Sequence, residues 1–176
     1  MKLYCVRHGQ TNYNVLNLCN DDPSKPVYLT DTGISQAKEV AEKLKDIQLD
    51  CIYISEFPRT LQTATIINHY HQAPIMVDVR INDRKTGFDG LPFEDFYLAI
   101  KNDIFHAKLH NGESFQEEKA RVRLFLSDIQ QKSCNNILVV THKEIMQIVF
   151  GLINTLPDDE MWNIEVGNCS ILESDL

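Results

Sequence analysis

One short run constrains the fold more than any other part of the chain. Ile137-Leu138-Val139-Val140-Thr141 is apolar without alternation, and His142 and a helical pattern (Ile145, Ile148, Val149, Leu152) follow directly. A strand apolar on both faces needs a cover on both faces, which is the position of a central parallel strand. Similar short runs predict strands at Leu3–Arg7, Cys51–Ser55 and Pro74–Val79, with a last one near Cys169–Leu172. Between them, Ala37, Val40, Ala41 and Leu44 share one helical face, and Arg59–Tyr70 suits a helix with Leu61, Ala64 and Thr65 on one side. Alternating strands and helices imply a three-layer α/β/α sandwich with a mostly parallel central sheet.

At 176 residues the chain suits one domain, 1–176. Residues 84–136 break the rhythm. They hold no clear strand but two helical patterns: Phe93, Phe96, Tyr97 and Ile100, then Val122, Phe125, Leu126 and Ile129. This predicts a helical excursion at 84–136, part of which could cover a site.

Composition narrows the partners. Asp plus Glu number 25 against 17 Lys plus Arg, a net charge of −8, which disfavours non-specific nucleic-acid binding. No apolar run reaches the roughly 18–20 residues that cross a bilayer. The start, Met1-Lys2-Leu3-Tyr4-Cys5-Val6-Arg7, is charged too soon for a secretory signal, so a cytoplasmic location is expected. The five cysteines are scattered with no C-x-x-C, which suits reduced thiols and offers no zinc spacing.

In an open parallel sheet, ligands sit beyond the carboxyl ends of the strands. Arg7-His8-Gly9-Gln10-Thr11 follows the first predicted strand, Ser55 to Thr60 with Arg59 the second, Arg80 to Arg84 with Asp83 the third, and His142-Lys143 the fourth. Guanidinium forks beside imidazoles make a pocket for a dianion, and helix starts after Gly9 and His142 would add positive ends. An acidic chain with one such pocket suggests a phosphorylated substrate, a small metabolite or a phosphoprotein.

These residues also carry a resemblance. Arg7-His8-Gly9-Gln10-Thr11 with Asn14 resembles the R-H-G-E-T signature of the histidine phosphatase (phosphoglycerate-mutase-like) superfamily. Leu29 to Ala37, Ser55 to Ala64, Gly112-Glu113-Ser114 with Arg121, and Ile137 to His142 are similar to further family blocks in the same order. The resemblance implies a phosphoglycerate-mutase-like fold and a phosphoenzyme mechanism. His8 would be the nucleophile. Arg7, Arg59 and His142 would hold the phosphoryl oxygens, and no metal or other cofactor would be needed.

The resemblance also shows departures. The family acid is usually Glu, and Asp83 stands in its place, with Glu56, Glu94 and Asp95 as rivals. Lys143 replaces a Gly and either contacts phosphate or faces solvent. Gln10, Thr11, Asn14, Lys143 and Arg84 are the candidate substrate contacts. The loop from Val15 to Asp22 lacks the Arg that many members use, which counts against the α-ribazole phosphatase branch and leaves Asn14 and Asn20 as neutral donors. The aromatic group Phe88, Phe93, Phe96, Tyr97 and Phe105 reads as helix packing, and also as a roof if that helix covers the pocket. The resemblance implies a phosphomonoesterase. A mutase, a phosphohistidine-protein phosphatase and a catalytically weak phospholigand-binding regulator are the alternatives. Oligomeric state is not legible.

Overall fold

The computed structural model describes residues 1–176. In chain order the elements are β1 (Lys2–Arg7), α1 (Asn12–Val15), α2 (Asp31–Leu44), β2 (Cys51–Ile54), α3 (Pro58–Ile67), β3 (Ile75–Val77), a 3-10 turn (Val79–Ile81), α4 (Phe93–Ile100), α5 (Phe115–Gln130), β4 (Asn136–Thr141), α6 (Lys143–Ile153), α7 (Asp158–Trp162) and β5 (Ile171–Asp175). The sheet runs β3-β2-β4-β1-β5, parallel except for the antiparallel edge strand β5. β4 lies at its centre, as its unbroken apolar run requires.

Side-chain alternation sorts the core into two layers. Ile137 and Val139 of β4, with Leu3 and Cys5 of β1, pack against Val122, Phe125 and Ile129 of α5 and Ile145 and Ile148 of α6. Leu138 and Val140, with Tyr4 and Val6, pack against Val40, Ala41 and Leu44 of α2 and Ala64 and Ile67 of α3. Truncating any of the buried Ile or Leu side chains to Ala removes roughly 2–5 kcal/mol.

Four sequence expectations need correction. The excursion is narrower than 84–136, because α5 is a cover helix of the sheet; only the stretch before it, with α4, leaves the sandwich. On α3, Leu61 and Thr65 face outward, while Arg59, Thr60, Thr63, Ala64 and Ile67 are buried. The inward face carries polar site residues, which apolar periodicity cannot register. That helix also stops at Ile67, where the Asn68 side chain clasps Ala73 through both its oxygen and its amide nitrogen. Finally, β3 is a short edge strand that turns into a 3-10 turn, and β5 starts at Ile171, after a turn in which Cys169 has a φ of 56°.

Candidate active site

Arg7 ends β1, and the backbone N–H of His8 donates to Thr141 of β4 at 2.9 Å. The chain then passes so close to α2 that a Cβ on Gly9 would lie 2.5 Å from the Gly33 carbonyl oxygen. This approach seats the Gly9 N–H on Thr63 Oγ1 of α3 at 3.1 Å.

His8 is buried, and its Nδ1 lies 2.8 Å from the Gly9 carbonyl oxygen. A carbonyl only accepts, so Nδ1 carries the proton and Nε2 keeps a lone pair. Arg59 Nε donates to that lone pair at 3.1 Å. Burial first, then the charges of Arg59 and Arg7, hold His8 well below the usual imidazole value. His8 is a neutral imidazole with an unprotonated Nε2, the form that nucleophilic attack demands.

His142 caps α6 and is fully buried. Its Nδ1 accepts from Arg59 Nη2 at 3.0 Å, and its Nε2–H therefore donates to Ser55 Oγ at 2.9 Å. Burial, followed by the charge of Arg59, keeps this ring neutral too. The two imidazoles meet edge to face, with centroids 5.3 Å apart.

Arg59 is the hub. Pro58 starts α3 just before it, and the Phe57 ring lies under its guanidinium at 4.2 Å. Beyond the two histidines it donates to Asp83 at 3.0 Å and to the Asn20 side-chain oxygen. Burial lowers it to about 10 despite the Asp83 charge, so it stays cationic at neutral pH. Arg7 donates from Nη1 to the Val166 carbonyl at 2.9 Å, and its Nε has no partner.

Asp83 follows the 3-10 turn, which Thr141 anchors by donating to the Ile81 carbonyl at 2.7 Å. Its carboxylate lies 3.4 Å from His142 Nδ1. Although 31% of the side chain stays open, protein rings the carboxyl; this enclosure raises its pKa above the usual carboxylate value, against the pull of Arg59 and Arg7.

Arg7, His8, Arg59 and Asp83 open into a cavity of 490 Å³, with Lys143 and Tyr97 among its other walls. Thr11 caps α1 and Asn14 accepts from Asn168 at 3.2 Å, both on this cavity. Lys143 is exposed on its wall, and Arg84, though buried, also lines it. Gln10 does not reach it: its side-chain oxygen accepts from the Thr30 hydroxyl at 2.9 Å, so it braces the start of α2. Glu56 binds Asn82 instead, and Glu94 and Asp95 stay exposed away from the cavity. Phe96 packs in the core while Phe93 and Tyr97 face the cavity, so α4 is both packing and roof. Ser55, Thr63 and Asn168 were not singled out by sequence reasoning. Ser55 and Thr63 lie inside the block around Arg59, whereas Asn168, which donates to the His8 carbonyl at 3.1 Å, has no local signal.

A sequence model described as the histidine phosphatase superfamily (branch 1) matches residues 3–176. The chain belongs to this superfamily. Among its similar members, the adenosylcobalamin/alpha-ribazole phosphatase of Escherichia coli (strain K12) is 30% identical over 175 residues, covering 94% of this chain and 85% of that protein. A probable phosphoglycerate mutase of Enterobacter sp. (strain 638) is 29% identical, covering 99% and 85%. The crystal structure of the alpha-ribazole phosphatase from Shigella flexneri superposes with a TM-score of 0.91 at 29% identity, covering 100% of this chain and 91% of that one. Histidine phosphatases of the ribazole type are thus near this chain although its loop lacks Arg. Asn20 is the side chain from that loop that meets Arg59.

Proposed function

We propose that this chain is a metal-independent phosphomonoesterase acting through a phosphohistidine at His8. The observation that carries this reading is the forced tautomer: the Gly9 carbonyl accepts from Nδ1–H and leaves the unprotonated Nε2 facing the cationic cluster. In the first step Nε2 attacks phosphorus in line. The N–P bond forms as the P–O ester bond breaks, and the Asp83 proton passes to the leaving alkoxide. Arg7 and Arg59 hold the non-bridging oxygens, and His142, whose Nδ1 accepts from Arg59, orients that guanidinium; preorganised charge supplies most of the rate. In the second step water attacks phosphorus and gives a proton to Asp83; the O–P bond forms as the N–P bond breaks, which returns the lone pair to His8 Nε2 and releases inorganic phosphate. The raised pKa of Asp83 suits it to hold a proton for the first step. The cavity is large enough for a small phosphorylated metabolite.

The test is hydrolysis of p-nitrophenyl phosphate with EDTA present, beside a His8→Ala variant. Metal-independent turnover that is lost in the variant, with an acid-labile phosphoryl group trapped on the wild type, is the expected result. Turnover that survives in His8→Ala, or that EDTA abolishes, overturns it.

A further inference from the structure

We propose that Glu144 is a positioning residue for the acid step: through a buried ion pair with Arg84 it aims the Asp83 carboxyl at the leaving oxygen. The inference rests on the reading of Asp83 as general acid.

Asp83 lies between two pins. On its amino side, Asn82 Oδ1 accepts the Glu56 N–H at 3.0 Å and Asn82 Nδ2 donates to Glu56 Oε2 at 2.7 Å. On its carboxyl side stands Arg84, whose side chain is 2% exposed. None of the Arg84 guanidinium nitrogens makes a hydrogen bond of good geometry. The group is held by the Phe96 ring at 5.0 Å, the Trp162 ring at 5.5 Å, and Glu144 Oε1 at 3.1 Å from Nη2. Aromatic faces hold a planar cation loosely in angle. The carboxylate is the one partner that opposes its charge and fixes where it ends.

Glu144 stands two residues after His142, in the first turn of α6. The pair therefore ties the segment bearing the acid to the helix bearing the second histidine, and both residues also line the cavity. Glu118 of α5 is fully buried beside Glu144, whose charge acts on it. Neither Glu118 Oε2 nor Glu144 Oε1 has a hydrogen-bond partner of good geometry. Burial, and then the Glu144 charge, raise the Glu118 carboxyl well above the usual value, which favours its protonated form. Arg121 closes the chain on the far side, 3.4 Å from Glu118 Oε1 and paired with Glu113. Since Asp83 itself touches only Arg59 and His142, this pin restricts its angle without contacting the substrate.

The experiment compares kcat/KM for two substrates in wild type, Glu144→Gln, Arg84→Met, Glu118→Gln and Asp83→Asn. This ratio covers steps up to formation of the phosphoenzyme. p-Nitrophenolate leaves without a proton, whereas the alkoxide of β-glycerophosphate needs one. Asp83→Asn sets the scale, losing about 10²-fold on β-glycerophosphate with a much smaller loss on p-nitrophenyl phosphate. Glu144→Gln and Arg84→Met should each lose about tenfold more on the alkyl ester than on the aryl ester. Glu118→Gln, which keeps the shape of a neutral Glu118 and leaves the Arg84–Glu144 pair in place, should keep the wild-type ratio. Equal losses on both substrates, or none, in Glu144→Gln overturn the inference while leaving the acid assignment intact. If Asp83→Asn itself fails to discriminate, the acid reading falls and the inference falls with it. Should Glu144→Gln not fold, by circular dichroism, Arg84→Met decides by the same ratio.

Discussion

Arg59 Nε points at His8 Nε2 from 3.1 Å, so the atom that would attack phosphorus is already hydrogen-bonded to the group that would bind the phosphoryl oxygens. The same guanidinium reaches His142 and Asp83. Burial and the Arg59 charge keep His8 neutral, and the guanidinium holds its Nε2 in line. The incoming phosphate must take over donors that now serve His8 and Asn20.

This arrangement predicts the pH profile. Depression of His8 keeps the imidazole neutral below its usual value near 6.5, so kcat/KM for an alkyl phosphate should not fall as pH drops through 6.5. Elevation of Asp83 above 3.8 means that the proton-bearing form is lost as pH rises past its shifted value, giving a falling alkaline limb. A rate profile from pH 4 to 8 checks both limbs, and Asp83→Asn should erase the alkaline one.

Asp83 already contacts Arg59 at 3.0 Å despite its short side chain. Asp83→Glu adds a methylene where the carboxyl is already in place, and should lower kcat/KM by about tenfold through misplacement. A gain in rate would show that the shorter acid leaves the site poorly tuned.

Ser55→Ala removes the acceptor of the His142 Nε2 proton inside the core. The buried N–H left without a partner should cost about 1–3 kcal/mol, read by urea unfolding. Turnover should fall as well, because the ring loses the contact that fixes its orientation against Arg59.

Gly33 has no room for a side chain: a Cβ there would sit 2.1 Å from the Gln10 carbonyl oxygen. Gly33→Ala must push the segment around His8 away from α2. It should destabilise by about 1–3 kcal/mol and depress kcat/KM together, whereas an exposed α2 position such as Lys38→Ala should change neither.

Glu118 gives a stability prediction with a definite sign. Its folded pKa is raised well above 4.5, so above that pH the unfolded chain releases a proton that the folded chain keeps. Its contribution to stability therefore weakens as pH rises above 4.5. Glu118→Gln lacks this titration, so its stability relative to wild type should increase from pH 5 to pH 8 in thermal melts. A constant difference would contradict the buried proton.

Much of this was legible in the chain. The unbroken apolar run of β4 could only be a doubly covered strand, and the residues after each strand had to meet at one edge of a parallel sheet. That reasoning, with the family blocks, named His8, Arg7, Arg59, His142 and Asp83; the structure sets Arg7, His8, Arg59 and Asp83 around one cavity and His142 in the core behind them, against Arg59. Periodicity failed on α3 because its buried face is polar by design of the site: Arg59 and Thr63 point inward to bind His8 and Gly9.

What the amino-acid order determined by itself was the local chemistry, meaning which segments form strands and helices and which side chains stand at their ends. Contacts between segments distant in the chain were decided by tertiary structure alone. The Nδ1 proton of His8 is local, set by the neighbouring carbonyl of Gly9, but the partner of its Nε2 comes from α3. Gln10 faced two options, cavity or brace, and the close approach of Gly9 and Gly33 turned it to Thr30. Arg84, Glu144 and Glu118 come from separate parts of the chain, and only packing in a shared interior of low polarity makes their charges depend on one another.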